Sequence, residues 1–396
     1  MKRLLRRELT LLVLALAACD RGEPSPARSQ PRSDEPDLQS LAALGYVAWD
    51  ENARGELAGV VRHDPARAFA GLNLYANDSN EAYALDMDGR VVATWTVPGY
   101  DQCEFFRLLD GGRILIESVD QGIALLDAGS NVVWRLDMNA HHDVAALEDG
   151  TFLVPYWDQH ADYRGRPVRF DGLLHVSAEG GTLGRWSTFD HLEELQALHP
   201  PLALDTAPPP GPDEAEQVYD YYHLNTVSPI GPNALDGDPR FQVENLLLCF
   251  RNANLLVILD RETRQIVWHW RPGTIDFPHM PTMLPDGRML LFDNGHHRGW
   301  SRILEFDPRD GEIVWRYQAE PRESFFTEGR GSVQRLPNGN TLICESERGR
   351  AFEVTRAGEI VWEFWNPELK GGRRKRIYRL LRIVGDRADE LRAAFR

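Results

Sequence analysis

The chain has 396 residues, 42% of them hydrophobic and 26% charged, a globular balance that excludes wholesale disorder. Its formal charge is −16, from 44 Lys and Arg against 60 Asp and Glu. A chain this acidic repels nucleic-acid phosphates, so no nucleic-acid partner is expected. Four cysteines are too few for a disulfide framework at this length.

Residues 1–18 begin with Lys2, Arg3, Arg6 and Arg7 and continue as an apolar run too short to span a bilayer as a mature helix. They read as a secretory signal. The run closes on Leu16-Ala17-Ala18-Cys19, which looks like a bacterial lipobox. That likeness implies that Cys19 is lipidated and anchors an exported protein to the membrane. Asp20 then points to the periplasmic face of the inner membrane. An ordinary signal peptide with a chance cysteine is the alternative. Residues 19–54, rich in Pro, Ser, Arg and acids, read as a disordered tether. The folded domain is expected over 55–385, with a tail at 386–396 that carries a helical pattern.

Within the domain one unit recurs six times: an apolar strand, an Asp or Gly turn, and a second strand ending at Trp. The copies run from Ala82 to Trp95, Ile123 to Trp134, Leu173 to Trp186, Leu256 to Trp268, Ile303 to Trp315 and Phe352 to Trp362. Period-2 alternation around each turn marks a hairpin. A second hairpin, built on Asp-Gly or Asn-Gly, precedes the first in several units, as at Leu284-Pro-Asp-Gly287 and Leu336-Pro-Asn-Gly339. Two hairpins per unit and six units predict an all-β, six-bladed β-propeller with four antiparallel strands per blade. The first unit lacks a strand at its start. Ile377–Ile383 either supplies it and closes the ring or belongs to a terminal helix. The run from Lys370 to Arg382 holds seven positive charges and no acid, and reads as a solvated face. An insertion over 191–219, with its Pro-Pro-Pro-Gly-Pro stretch, reads as a loop without a core that could cover one mouth of the funnel.

In a propeller the innermost strands start at one central channel, so residues at equal register meet although they are far apart in sequence. Eight residues before the turn glycines Gly112, Gly150, Gly231 and Gly287 stand Glu104, His142, His223 and His279. Three of the twelve histidines therefore share one register. Asn225 follows His223 on the same strand face. Arg251 ends the apolar strand Leu246–Phe250, which returns toward the axis in the same blade. His141 alternates to the other face and is expected behind His142. Cys103, Cys249 and Cys344 read as buried small apolar residues.

Three histidines can bind zinc and leave a position open for water, so a metal-dependent hydrolase is one reading. Arg251 argues against it, because a guanidinium beside the ligands repels a cation. The other reading is an anion site, where Arg and imidazole donors hold a tetrahedral oxyanion group and a neutral imidazole takes that group covalently.

Here the residues match a family. From about Gly59 to Arg382 the chain resembles the bacterial arylsulfate sulfotransferases. The shared stretches are Gly59-Val-Val, Gly71-Leu-Asn-Leu-Tyr, His141-His-Asp, His223-Leu-Asn, Phe277-Pro-His279, Phe292-Asp-Asn-Gly295, Ser301-Arg-Ile-Leu-Glu305, Leu336-Pro-Asn-Gly-Asn-Thr-Leu-Ile343 and Ile360-Val-Trp-Glu-Phe-Trp-Asn-Pro367. The resemblance implies ping-pong transfer of a sulfuryl group from an aryl sulfate to a phenol through a sulfohistidine, with no nucleotide donor and no cofactor. Carried over by position, His279 is the nucleophile, and His142, His223, Asn225 and Arg251 hold the sulfuryl oxygens and assist the two phenols. Glu104, His141 and Asn294 are expected to meet the substrate. The insertion departs from the family pattern and leaves the acceptor open. A non-catalytic, lipid-anchored scaffold propeller is the alternative. The Asp260–Trp268 repeat is also like those of quinoprotein dehydrogenases, which usually have eight such units and a calcium site.

Overall fold

Most inner hairpins turn on a glycine in the left-handed region, such as Gly287 (φ 84°) and Gly339 (φ 86°), where a side chain would be strained. The computed structural model describes residues 57–77, 79–206 and 218–395. The signal, Cys19 and tether readings lie outside these residues, as does the Pro-rich stretch of the insertion.

The hairpins assemble into a six-bladed β-propeller. From the axis outward, blade 2 comprises Phe105–Leu108, Ile114–Ser118, Gly122–Leu126 and Val132–Leu136. Blade 3 comprises Ala145–Ala146, Phe152–Tyr163, Arg166–Val176 and Thr182–Ser187. Blade 4 has Leu224–Pro229, Leu246–Phe250, Leu255–Leu259 and Ile266–Trp270, and blade 5 has Pro278–Met283, Met289–Asp293, Arg302–Phe306 and Ile313–Tyr317. Blade 6 is Ser332–Arg335, Thr341–Glu345, Arg350–Val354 and Ile360–Trp365.

Both chain ends close the ring. Ile377–Ile383 is the innermost strand of blade 1, paired with Leu72–Asn77 in register from Leu72↔Ile383 to Asn77↔Ile377, and followed outward by Glu81–Leu85 and Val91–Thr96. Gly59–His63 adds a fifth, outermost strand to blade 6. Apolar clusters fill all six interfaces between neighbouring blades, the closing one included, where Tyr75 and Leu85 meet Leu342 and Trp362. Burial of apolar side chains on both faces of every blade is the main stabilising term. Arg382 and Glu353, both fully buried, pair across the closing interface.

The recurring Trp has a physical cause. The indole N–H donates to a turn carbonyl of the next blade: Trp95 to Gly112 at 3.0 Å, Trp134 to Ala178 at 2.8 Å, and Trp268, Trp315 and Trp362 to Pro308, Arg356 and Met87 at 2.9 Å. Trp186 is the exception, where His191 of the insertion stacks on the ring instead.

Two expectations need correction. The insertion is not coreless over its described part: Leu192–Gln196 and Ala203–Thr206 are short helices whose Leu195 and Leu204 are buried between blades 3 and 4. The run from Lys370 to Arg382 is not a solvated face. Arg374, Arg379 and Arg382 are buried, and Arg379 pairs with Asp143 at 2.7 Å. The inner strand of a closed ring has no solvated face, so its arginines need internal carboxylates. The tail forms a helix, Asp386–Ala394, that packs Leu391 and Phe395 near Trp95.

Candidate functional site

All inner strands begin on one face of the ring, and the three histidines stand at that rim. The backbone there is strained: His142 (φ 67°), His223 (φ 58°), Phe277 (φ 56°) and Met280 (φ 47°) occupy the left-handed region without being glycine. Such residues cost roughly 1–3 kcal/mol each and persist only when the surrounding packing holds them. A register shift between His279 and Thr282 marks a bulge that re-aims the His279 strand.

The rings of His142 and His223 lie 4.3 Å apart, edge to face. His142 and His279 share a small cavity of ≈ 20 Å³ with Glu104, Asn225, Arg330, Tyr378 and Arg379. Arg251 lies over the Phe277 ring at 5.0 Å and its charge acts on His142, His223 and His279. The register read from the turn glycines therefore does bring the imidazoles and the guanidinium together.

The hydrogen bonds fix the state of His279. Asn294 donates through Nδ2 to the carbonyls of Thr327 (2.8 Å) and Arg330, so its Oδ1 faces His279 Nδ1 at 2.8 Å. The Phe277 carbonyl lies 3.1 Å from the same nitrogen. Facing two acceptors, Nδ1 carries the proton, and Nε2 is left with a bare lone pair. Nε2 is buried and has no hydrogen-bond partner. Burial, and then the positive charge of Arg251, lower the imidazole pKa to about 3, so the ring is neutral at any ordinary pH.

His223 is held in the same way. Its Nδ1 bonds the Asp220 carboxylate, and Nε2 is buried and unpartnered. Arg251 lies 3.6 Å from the same carboxylate. Burial raises the Asp220 pKa, against the pull of Arg251, and holds His223 well below the usual imidazole value. His141 stacks on Trp157 at 3.7 Å, with Nδ1 3.1 Å from His142 Nδ1 and Nε2 3.4 Å from Asp171. Burial lowers its pKa to about 3 as well.

Three expected substrate contacts change role. His141 and Asn294 are fully enclosed, so they hold His142 and His279 from behind. Asn225 lines the cavity but donates Nδ2 to the Pro278 carbonyl at 2.8 Å, while its Oδ1 accepts from Thr226 at 3.0 Å. Its amide therefore secures the backbone next to His279. Glu104 does line the cavity, with its carboxyl pKa raised by burial. The sequence reading missed Asp220, Arg330, Tyr378 and Arg379. Arg330 stands one residue before Gly331, the blade 6 member of the histidine register, and that neighbour was the available signal.

Among the described residues no group of three or more His, Cys, Asp or Glu side chains is arranged to hold a metal ion. Arg251, Arg330 and Arg379 stand around the neutral imidazoles, with Arg379 paired to Asp143 and Arg251 near Asp220.

A six-bladed propeller with imidazoles and guanidinium groups at its axis is thus the class that fold and site define. The chain belongs to the arylsulfotransferase (ASST) family, whose profile matches residues 106–367. No curated protein matches it. Among solved structures it is similar to a Bacteroides caccae protein of unknown function (15% identity, TM-score 0.49, 79% of this chain and 98% of that one). Virginiamycin B lyase from Staphylococcus aureus (12%, 0.40, 67% and 70%) and BamB from Moraxella catarrhalis (11%, 0.37, 77% and 75%) are similar at lower levels. Likenesses this distant carry no functional argument.

Proposed function

We propose that the protein transfers a sulfuryl group from an aryl sulfate to a phenol in two steps, through a covalent sulfohistidine at His279. The observation that carries this reading is the His279 ring itself: neutral, buried, with Nδ1–H fixed by Asn294 and Nε2 without a partner, in the wall of a cavity that Arg330 and Arg379 also line.

In the first step the Nε2 lone pair attacks sulfur, the S–O(aryl) bond breaks, and its electron pair leaves on the phenolate. The ring becomes cationic as the N–S bond forms, and the oxygens of Asn294 and Phe277 at Nδ1 stabilise that charge. Arg251, Arg330 and Arg379 favour the sulfuryl oxygens and the departing phenolate. Sulfuryl transfer, like phosphoryl transfer, has a loose transition state, so positioning and charge do most of the catalysis. In the second step His223 Nε2, backed by Asp220, takes the proton of the acceptor phenol. The phenol oxygen attacks sulfur, the N–S bond breaks, and His279 is neutral again. The first phenolate collects a proton from water and His223 returns one, so the cycle is proton-neutral.

Location is part of the proposal. The sequence Leu16-Ala17-Ala18-Cys19 supports an exported domain held at the periplasmic face of a bacterial membrane by a lipid on Cys19. Lipid analysis of the membrane fraction tests it, and a Cys19→Ser protein that stays equally membrane-bound removes it.

The kinetic test uses a nitrophenyl sulfate and a phenol. Two-step transfer gives parallel double-reciprocal lines and a nitrophenolate burst equal to the enzyme concentration. Intersecting lines without a burst contradict it.

A further inference from the structure

Beyond the histidines the channel holds a second cavity of ≈ 870 Å³, within the size range of sites for drug-sized ligands. It lies among the later halves of the inner strands of blades 4, 5 and 6 and the inner turns at Leu284–Asp286 and Leu336–Gly339, on the side of the ring away from the histidine rim. Thr226, Met280 and Arg379 wall both cavities.

Five guanidinium groups line it, those of Arg107, Arg288, Arg335, Arg356 and Arg379, against three carboxylates, Asp143, Asp286 and Glu305. Glu305, only 1% exposed, serves three of the cations: Arg335 at 2.6 Å, Arg288 at 3.3 Å, and Arg356. Arg335 also has a buried Nε without a partner. Arg288 is also paired with Asp286 at 3.5 Å, but no second carboxylate of this wall pairs with Arg335 or Arg356, so Glu305 alone faces those two guanidinium groups. Much of the remaining wall is apolar, with Val227, Met283, Leu284, Val333, Leu336 and Leu381.

We propose that this cavity binds a small organic anion: an apolar body carrying a sulfonate, sulfate, carboxylate or phosphate group, the anionic group lying between Arg335 and Arg356. Paired guanidinium groups in a partly desolvated wall suit such an oxyanion, and the apolar wall suits the body. The site does not depend on the transferase reading, because its test reads binding alone.

The experiment is calorimetric titration of the full-length protein with 1-naphthalenesulfonate, whose C–S bond cannot be transferred. The expected result is saturable binding that survives His279→Asn and weakens by roughly tenfold or more in Arg356→Ala and in Arg288→Ala. Both arginines are nearly half exposed, so these variants keep the fold, which circular dichroism checks. Inorganic sulfate is expected to bind at least about tenfold more weakly, lacking the apolar body. Absence of binding at millimolar probe overturns the proposal. So does binding that ignores both arginine variants, loss of binding on His279→Asn, or sulfate binding as tight as the probe's.

Discussion

Asn294 Oδ1 lies 2.8 Å from His279 Nδ1, and because the Asn294 amide nitrogen is already committed to two carbonyls, this bond places the imidazole proton on Nδ1 and leaves Nε2 without one. An amide that never touches substrate thus sets which nitrogen can attack.

Asn294→Ala removes that control. The expected loss in kcat is between about 10² and 10⁴, the range seen when an oxyanion donor or a correct tautomer is lost. Asn294→Asp keeps the acceptor but adds negative charge, raising the His279 pKa. Its activity is therefore expected to fall on the acid side at a higher pH than the wild type's, and a kcat–pH profile checks the shift.

Arg251→Ala removes a cation from the sulfuryl site and also from Asp220. The expected cost is on the order of 10²–10³ in kcat. Steady-state rates with a nitrophenyl sulfate measure it, and an unchanged kcat contradicts the assigned role.

Burial keeps four histidines, 141, 142, 223 and 279, neutral in the folded chain. Their folded pKa values lie below the unfolded value of about 6.5, so the unfolded chain binds more protons under pH 6.5. Stability is then lost as pH falls below about 6.5, by up to roughly 1.4 kcal/mol per pH unit for each histidine. Glu117 and Asp171, whose pKa values are raised by burial, act with the opposite sign. They are common to wild type and variant, so a comparison isolates the histidine. His142→Gln is expected to show a shallower fall in melting temperature between pH 6.5 and 5 than the wild type.

Arg382 and Glu353 join the last strand to blade 6 from a fully buried position. Arg382→Ala leaves a buried carboxylate without its charge partner and is expected to cost roughly 3–5 kcal/mol in denaturant unfolding. The double change Arg382→Met with Glu353→Gln is expected to cost less, since no charge is stranded. A single variant as stable as the wild type contradicts the closing role.

The blades were legible because the outer Trp of five of the six units reaches a carbonyl of the next blade, and that need recurs with the repeat. The three histidines were legible because each stands eight residues before its turn glycine, and that constant step puts them at one register around the axis. What pairs across the ring was not. Arg379 finds Asp143 only through closure, 236 residues away, and in sequence it is one cation among seven. Asp220 lies outside the register, three residues before His223, and nothing local marks it as the partner of Nδ1. Asn294 was singled out, but its enclosure comes from the Thr327 and Arg330 carbonyls, which belong to a distant loop.

Trapping the covalent form bears most directly on the central claim. The protein is mixed with an aryl sulfate in the absence of phenol, quenched at alkaline pH, digested and analysed by mass spectrometry. A gain of one sulfuryl group on the peptide containing His279, absent in His279→Asn, is the predicted result. Sulfuryl on another peptide, or full transfer activity in His279→Asn, contradicts it.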